Sequence, residues 1–449
     1  MKPQREPGLW KRAVVWLVVL APFFFASYGF ATWLSARRTD VGTLVFDWER
    51  HMPFWAWSIV PYWSIDLLYG FSLLACLTRR ELDTHALRLF TAQLIAVSCF
   101  LLWPLTFTFE RPPQDGVFGW MFAVLGGFDK PFNQAPSLHI ALLVVLWVCY
   151  ARYLRGCHPA WRWLLHGWFA LIGVSVLTTY QHHFVDLPTG ALLGWLCVWL
   201  WPHEGRSPLH NAHLPDQPSR RTLALAYGLG AGLLAVPVFI LGGAWLWLAW
   251  PAVACLLVGL NYGLLGAEGF QKRVDGSLSP AACWLFAPYL VGAFINSRLW
   301  TRRQPEPQQI VDNIWLGRIP DTQQLQRFAA VVDMCAELPL APGDRGYQSI
   351  PVLDLTAPDA DHCLRAAHAI ERLRHNGPLL VCCALGYSRS ATALAAWLLY
   401  THRATTVDNA IDMIRHVRPH VVLREPQYQA LAELLAGLST TRTTAHHVP

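Results

Sequence analysis

The chain of 449 residues is 54% hydrophobic, carries 23 Trp and is only 14% charged, where a soluble protein has about 25% charged residues. That deficit lies almost wholly before residue 300, which excludes one uniform soluble globule and predicts two units suited to different solvents. A formal net charge of +6, with most arginines beside apolar segments, suits membrane topology and argues against nucleic-acid binding.

A spanning helix needs about 20 mostly apolar residues. The spans predicted on that basis are 12–34, 54–77, 87–108, 136–154, 161–180, 185–202, 222–241 and 244–265, with 280–297 marginal. No small-residue cleavage site follows the first, so it is read as a retained helix. Basic clusters recur in alternate loops: Lys2, Arg5, Lys11 and Arg12; then Arg79, Arg80 and Arg88; then Arg152, Arg155 and Arg162; then Arg206, Arg220 and Arg221. All fall on one face, which the positive-inside bias makes cytoplasmic. The loops 109–135 and 181–186 then share the opposite face. The eleven cysteines have no paired spacing, which argues against a disulfide framework.

Three polar islands lie at that opposite face: FERPP at 109–113, APSLHIA at 135–141 and TYQHHFVDLPTG from 179. Ionisable residues at the ends of apolar helices are costly and usually functional. His182 and Asp186 are four apart, so a helix puts them on one face, where the carboxylate can fix the imidazole tautomer. His139, on another span, is the candidate general acid, and Arg111 offers a cation to phosphate. These islands resemble the three motifs of the type 2 phosphatidic acid phosphatase superfamily, through Arg111-Pro112, Pro136-Ser137-x-His139 and His182-x3-Asp186. The resemblance implies a six-span core in which His182 is the phosphorylated nucleophile, Asp186 its orienter and His139 the leaving-group acid, with Ser137 and Arg111 on the phosphate. Pro104, Leu138 and Val176 depart from that pattern, standing where Lys, Gly and Arg belong. Lys130 is the remaining candidate for a missing cation. The Pro-Ser-Leu-His form and QHHFVD also resemble the branch containing sphingomyelin and inositol-phosphoceramide synthases, which implies head-group transfer as an alternative to hydrolysis. His183 is read as a bystander.

The predicted organisation is a six-span domain over 1–203, a polar linker at 204–221, and further membrane helices with an interfacial segment over 222–301. An α/β domain at 302–440 and a tail at 441–449 follow. Spans seven and eight carry no ionisable residue in their apolar stretches and read as anchor or packing helices. Beyond residue 302 short apolar runs alternate with helical patterns, as an α/β domain requires. Strands are predicted at 308–317, 329–336, 347–355 and 378–383. Helices are predicted near 320–329 and at 360–376, 388–402, 405–416 and 425–437.

PLLVC delivers a loop, Ala384, Leu385, Gly386, Tyr387 and Ser388, between Cys383 and Arg389, and SATALAAWLLY begins a helix just beyond. A loop entering a helix N-terminus presents backbone N–H groups to an anion. The same field favours a cysteine thiolate. Arg389 can grip two phosphoryl oxygens, and Ser390 can hydrogen-bond the sulfur. This pattern resembles the cysteine-dependent dual-specificity protein phosphatases over about 305–437, including IWLGRIP. The resemblance implies Cys383 as nucleophile and a general acid upstream, at Asp354, with Asp359 and Asp361 as substitutes. Cys382 replaces the family's usual histidine, and two adjacent thiols suggest redox sensitivity.

Together these readings predict a multi-pass α-helical membrane domain followed by an α/β cysteine-phosphatase domain, a phosphoric monoester hydrolase with two metal-independent sites and no cofactor. Expected partners are the bilayer and phospholipid or lipid-phosphate substrates, with phosphoproteins as the alternative target. A non-catalytic phosphate-sensing lipid carrier is the third reading. The expected location is a bacterial inner membrane with the C-terminal domain in the cytoplasm.

Overall fold

The computed structural model describes residues 5–445, so Lys2 and the end of the tail lie outside the described residues. The chain divides into two compact units. One comprises residues up to His210 with Ala235–Trp250, the other Asn211–Leu234 with Pro251 onward.

The first unit is helical: α1 (Leu9–Ser35), α2 (Ile59–Ala75), α3 (Arg79–Leu102), α4 (Gly116–Phe128), α5 (Leu138–Tyr153), α6 (Pro159–Thr178) and α7 (Asp186–Leu200). Among the described residues, six helical stretches are long and apolar enough to cross a membrane, consistent with a membrane protein; the last two are α8 (Pro218–Leu241) and Gly243–Phe270, which contains α9 (Ala249–Leu260). Two of the eight predicted spans are shorter than a crossing. The predicted 136–154 is a 16-residue helix, and 185–202 is a 15-residue helix. The first is cut short mainly at the polar island, where Ser137 caps α5 by accepting from the Ile140 N–H; the second runs from Asp186 to Leu200, one residue inside its predicted start and two inside its predicted end. The third span begins eight residues before the predicted 87, because Thr78 caps it by accepting from the Glu81 N–H. Helix α4, too short to span, lies in a stretch read as loop.

Glycines decide how closely α5 and α7 approach. A Cβ at Gly190 would stand 2.5 Å from the Ser137 carbonyl, and one at Gly194 would stand 2.7 Å from the Ala141 carbonyl. Only glycine permits such backbone proximity. The Ser137 N–H consequently reaches the Asp186 carbonyl at 3.2 Å. Two polar islands far apart in sequence therefore meet.

The second unit holds a five-stranded sheet in the order β1-β2-β5-β3-β4. Its strands are β1 (Gln308–Val311), β2 (Ile314–Arg318), β3 (Ala330–Cys335), β4 (Gly346–Val352) and β5 (Leu379–Cys383). Only β1 is antiparallel to its neighbour. The single strand predicted over 308–317 is thus a hairpin, turned at Asp312, which adopts φ 47°. The helix predicted near 320–329 is one turn, α12 (Thr322–Leu325), capped by Asp321. Beyond β4 lie α13 (Ala360–Leu373), α14 (Arg389–Tyr400), α15 (Val407–Val417) and α16 (Glu425–Ala445), whose apolar residues pack with one sheet face into a single core.

The opposite face packs into a second core that includes Phe328, Leu338 and Leu340, with Ala293 against it. Ala293 belongs to α11 (Ala287–Trp300), which follows α10 (Pro280–Leu285) after a break at Phe286. The marginal 280–297 stretch is therefore two helices, not one, with Pro288 in the first turn of the second. The 251–301 segment belongs to the same compact unit as the sheet.

Two candidate active sites

Central strand β5 ends at Cys383 and α14 begins at Arg389, so the loop between them opens at the carboxyl edge of the parallel strands. Open α/β sheets place their ligand sites at that edge. Gly386 adopts φ 74°, and a Cβ there would lie 2.3 Å from the Gly317 carbonyl carbon, so the loop folds down onto β2 only with glycine. The loop carbonyls are turned outward: Ala384 O accepts from Ser297 Oγ at 2.6 Å, Gly386 O from Arg418 Nε at 3.1 Å, and Tyr387 O from the Val422 N–H at 2.9 Å. A planar trans peptide points its N–H opposite its C=O. The amides of Leu385, Tyr387 and Ser388 therefore face the other way, into the loop.

Cys383 forms the floor and is 2% exposed. Its Sγ accepts from the Gly386 N–H and from Ser390 Oγ, each at 3.2 Å. Arg389 is fixed by a buried carboxylate that the sequence reading missed. Its Nη1 and Nη2 donate to Glu337 Oε2 and Oε1 at 2.9 and 2.8 Å. Nη1 also donates to Val352 O at 2.7 Å, and Nη2 to Asp354 Oδ1 at 2.8 Å. Burial alone would raise the Glu337 carboxyl, but the guanidinium outweighs it and holds it below the usual range. Asp354 goes the other way: burial raises it, Arg389 offsets only part, and Glu337 adds to the rise. One carboxyl beside this guanidinium is thus held below its ordinary range and the other stays above it.

Asp354 is the aspartate that meets Arg389, while the two substitutes serve α13. Asp359 caps it by accepting from the His362 N–H, and Asp361 pairs with Arg365 at 3.6 Å on the surface. Cys382 is fully buried, and burial pushes its thiol well above the ordinary range. It packs in the core opposite the one containing Cys383, as alternation along a strand dictates. That geometry opposes the expected thiol–thiol chemistry, and all eleven cysteines are free.

In the helical unit, His182 Nδ1 lies 3.1 Å from Asp186 Oδ2, and its Nε2 lies 3.1 Å from Ser137 Oγ. An ionised carboxylate only accepts, so Nδ1 carries the proton and Nε2 presents its lone pair. Asp186 Oδ2 also accepts from the His183 N–H at 3.1 Å. His139, on the facing helix, stacks on Tyr62 with centroids 4.2 Å apart, and its buried Nε2 has no hydrogen-bond partner among the described residues. Two aromatic hydroxyls, those of Tyr28 and Tyr62, reach Asp129 at 2.8 and 3.5 Å. Arg111 lies over the Phe122 ring and donates to Thr179 O at 3.1 Å and Tyr180 O at 3.3 Å. Lys130 does not replace a missing cation: it is exposed and donates to Gly126 O at the end of α4. His183 is pinned outside the pair. Its Nε2 accepts from the Thr108 N–H at 3.2 Å, so Nδ1 donates to Glu49 Oε2 at 3.3 Å. Glu49 gave no signal in sequence because its partner lies 134 residues away.

Comparison with known proteins matches the two regions separately. Residues 314–435 match the family described as dual specificity phosphatase, catalytic domain, and residues 84–205 match the PAP2 superfamily. No curated protein matches the chain. Among solved structures, Tk-PTP in the active form is 29% identical, with 30% of this chain and 98% of that one covered and a TM-score of 0.27. PTPMT1 in complex with PI(5)P is 21% identical, with coverages of 30% and 98% and a TM-score of 0.26. Human DUSP28 is 24% identical, with coverages of 30% and 96% and a TM-score of 0.27. The chain is accordingly a phosphoric monoester hydrolase in which a PAP2 superfamily domain at 84–205 is joined to a dual specificity phosphatase catalytic domain at 314–435.

Proposed function

We propose that this is an integral-membrane phosphatase of lipid phosphomonoesters that works through a phosphocysteine at Cys383. The observation that carries the reading is the sulfur held by the Gly386 N–H and Ser390 Oγ, under inward amides and beside a guanidinium that also touches Asp354. In the first step Cys383 Sγ attacks phosphorus, a P–S bond forms and the bond to the lipid oxygen breaks. Asp354 gives that oxygen its proton. Substrate oxyanion takes over Nη2 of Arg389, which releases Asp354 to turn toward the leaving group. In the second step water attacks phosphorus, Asp354 recovers a proton, and the Ser390 hydroxyl supports the departing thiolate. Glu337 keeps the guanidinium in plane for both steps.

At the membrane site, His182 Nε2 is the nucleophile, Asp186 holds its Nδ1–H, and His139 protonates the leaving oxygen. Ser137 and Arg111 contact the phosphoryl group. Val176 and Pro104 are buried where the resemblance calls for cations, which favours transfer of a phosphodiester head group, with its lower charge, over hydrolysis of a dianionic monoester. The six apolar helices support placement in a bilayer, and the basic loops support a cytoplasmic C-terminal domain.

The test is purified protein in lipid nanodiscs given phosphatidate, phosphatidylglycerophosphate, phosphoinositides and a phosphotyrosine peptide, beside Cys383→Ser and His182→Ala. Release of phosphate from at least one lipid monoester that depends on Cys383 is the expected result. Activity confined to the peptide, or hydrolysis that survives Cys383→Ser, overturns the reading.

A further inference from the structure

Three loops carry the cysteine site: the turn after β3 with Glu337, the loop after β4 with Asp354, and the phosphate loop itself. Each is tied down by one side chain from residues 262–297, a stretch outside the matched catalytic domain. Lys272 Nζ is buried and donates to Asp333 Oδ2 at 2.6 Å and to the carbonyls of Cys335 and Leu338, both at 2.7 Å. It therefore grips the turn on both sides of Glu337. The Ser297 hydroxyl holds the phosphate loop through Ala384 O. The Tyr262 hydroxyl donates to Asp354 O at 3.0 Å.

The third tie is the most consequential. Leu355, directly after Asp354, has φ 56°, a left-handed conformation that a leucine keeps only when its surroundings impose it. The carbonyl that Tyr262 holds belongs to the peptide that rotation about φ of Leu355 would swing. The hydroxyl is in turn well anchored. Tyr262 is 1% exposed, lies in the π-helical turn Asn261–Leu265, and stacks on Tyr227 at 5.6 Å and 7°. Tyr227 meets Tyr289 edge-on at 5.8 Å, and Arg220 Nε donates to Tyr262 O at 3.1 Å. These partners come from α8, the turn after α9 (Ala249–Leu260), and α11, all continuous with the apolar helices.

We propose that residues 262–297 are the positioning frame of the cysteine site, and that Tyr262 is the residue through which this frame seats the general-acid loop. The inference rests on the reading of Asp354 as the acid. Its consequence is selective. Expelling an alkoxide from a lipid-type phosphomonoester needs a proton, whereas p-nitrophenolate leaves with little help. A displaced Asp354 should therefore slow the first substrate and spare the second.

The experiment uses the full chain in nanodiscs and the variants Tyr262→Phe and Asp354→Asn. kcat/KM, which reports only the steps through phosphocysteine formation and so excludes the hydrolytic step common to both esters, is measured for p-nitrophenyl phosphate and for phosphatidate, each across pH. Tyr262→Phe keeps the ring stack and removes only the hydroxyl. It should lower kcat/KM on phosphatidate about five- to tenfold, the effect of one neutral hydrogen bond, with less than about a twofold change on the aryl ester. The basic limb of the phosphatidate pH profile, which Asp354→Asn removes because Asn does not titrate, should be weakened in Tyr262→Phe. Equal loss on both substrates, or no loss on either, overturns the frame. If Asp354→Asn discriminates between leaving groups while Tyr262→Phe does not, the frame falls and the acid assignment stands. If Asp354→Asn itself fails to discriminate, the acid assignment falls and takes the frame with it. Ser297→Ala supplies the internal contrast: tied to the phosphate loop, it should depress both substrates alike.

Discussion

The two sites face the same electrostatic problem with unequal means. The cysteine loop meets an incoming phosphate with inward amides, the start of a 12-residue helix and a guanidinium braced by Glu337. The histidine site has Arg111, two of whose donors go to main-chain carbonyls, and beside it the hydroxyls of Tyr28 and Tyr62 gather round a carboxylate, Asp129. One site concentrates donors at the Cys383 sulfur and in the Arg389 guanidinium. The other is organised around orienting a histidine. On the proposed reading, the difference means that two phosphoryl-handling sites in one chain need not share a substrate charge.

The largest effects come from breaking that contrast at its strong end. Cys383→Ser should lower phosphomonoester hydrolysis on the order of 10⁴-fold or more, since an alkoxide precursor replaces the thiolate nucleophile; phosphate release in nanodiscs measures it. Under the same assay His182→Ala should leave that hydrolysis within about twofold of wild type and remove any head-group transfer to a lipid alcohol. Loss of monoester hydrolysis in His182→Ala with retention in Cys383→Ser would invert the comparison.

Asp354→Asn should cost about 10²- to 10⁴-fold on an alkyl phosphate, the usual worth of a positioned acid. The folded-state pKa of Asp354 is raised, so its proton is retained above the ordinary carboxyl range and is lost as pH rises through the raised value. The wild-type rate on alkyl esters should accordingly fall on the alkaline side before the rate on p-nitrophenyl phosphate does. Parallel pH profiles read the separation directly.

What was legible in the sequence follows from how local each feature is. Cys383, Gly386, Arg389 and Ser390 sit on one strand–loop–helix turn, so their spacing alone signals the cradle. His182 and Asp186 are one helical turn apart and were legible for the same reason. Glu337 lies 52 residues from Arg389, and only the parallel pairing of β3 with β5 brings it in. Its sole local sign was an acidic residue just beyond a strand of buried residues. Lys272, Tyr262 and Ser297 were hidden differently. They are polar groups in a stretch whose composition reads as membrane anchor, and Lys272 is buried only because Asp333 and two carbonyls receive it. Hydropathy overextends the span at 136–154 at its start because it does not register Ser137 as the cap that begins α5.

Glu337→Gln is expected to act chiefly on stability. It preserves the shape of the pair but removes a buried negative charge, leaving Arg389 with Asp354 as its one charged partner among the described residues. Breaking such a pair costs about 3–5 kcal/mol, part of which Gln recovers through its hydrogen bonds. A loss of about 2 kcal/mol in denaturant unfolding of the second unit is expected. A loss below about 0.5 kcal/mol would mean that Asp354 alone suffices to hold the guanidinium.

The smallest effect separates fold from site. Glu371 accepts from Arg374 at 2.7 and 2.8 Å and from Trp397 Nε1 at 2.9 Å. Led by Arg374, these partners lower its carboxyl from 4.5 to about 2. A folded-state pKa below the unfolded one stabilises above the unfolded value, and that contribution is lost as pH falls through the folded value. Its share should be intact above about pH 5 and decline between roughly pH 4.5 and 2. The pair is partly exposed, so the expected share is small, about 0.5–1 kcal/mol. Hydrogen exchange of the α13 amides at pH 6 and pH 3, corrected for the intrinsic pH dependence of exchange, should show a larger loss of protection in wild type than in Glu371→Gln, where Asp359, which caps the same helix, supplies the remaining response. Kinetics at neutral pH should not change, because Glu371 pins α13 to α14 through Trp397 and touches none of the groups around Cys383. If Glu371→Gln did change the leaving-group dependence, the acid loop would have to be set from the α13 face as well, and the division between frame and core would fail.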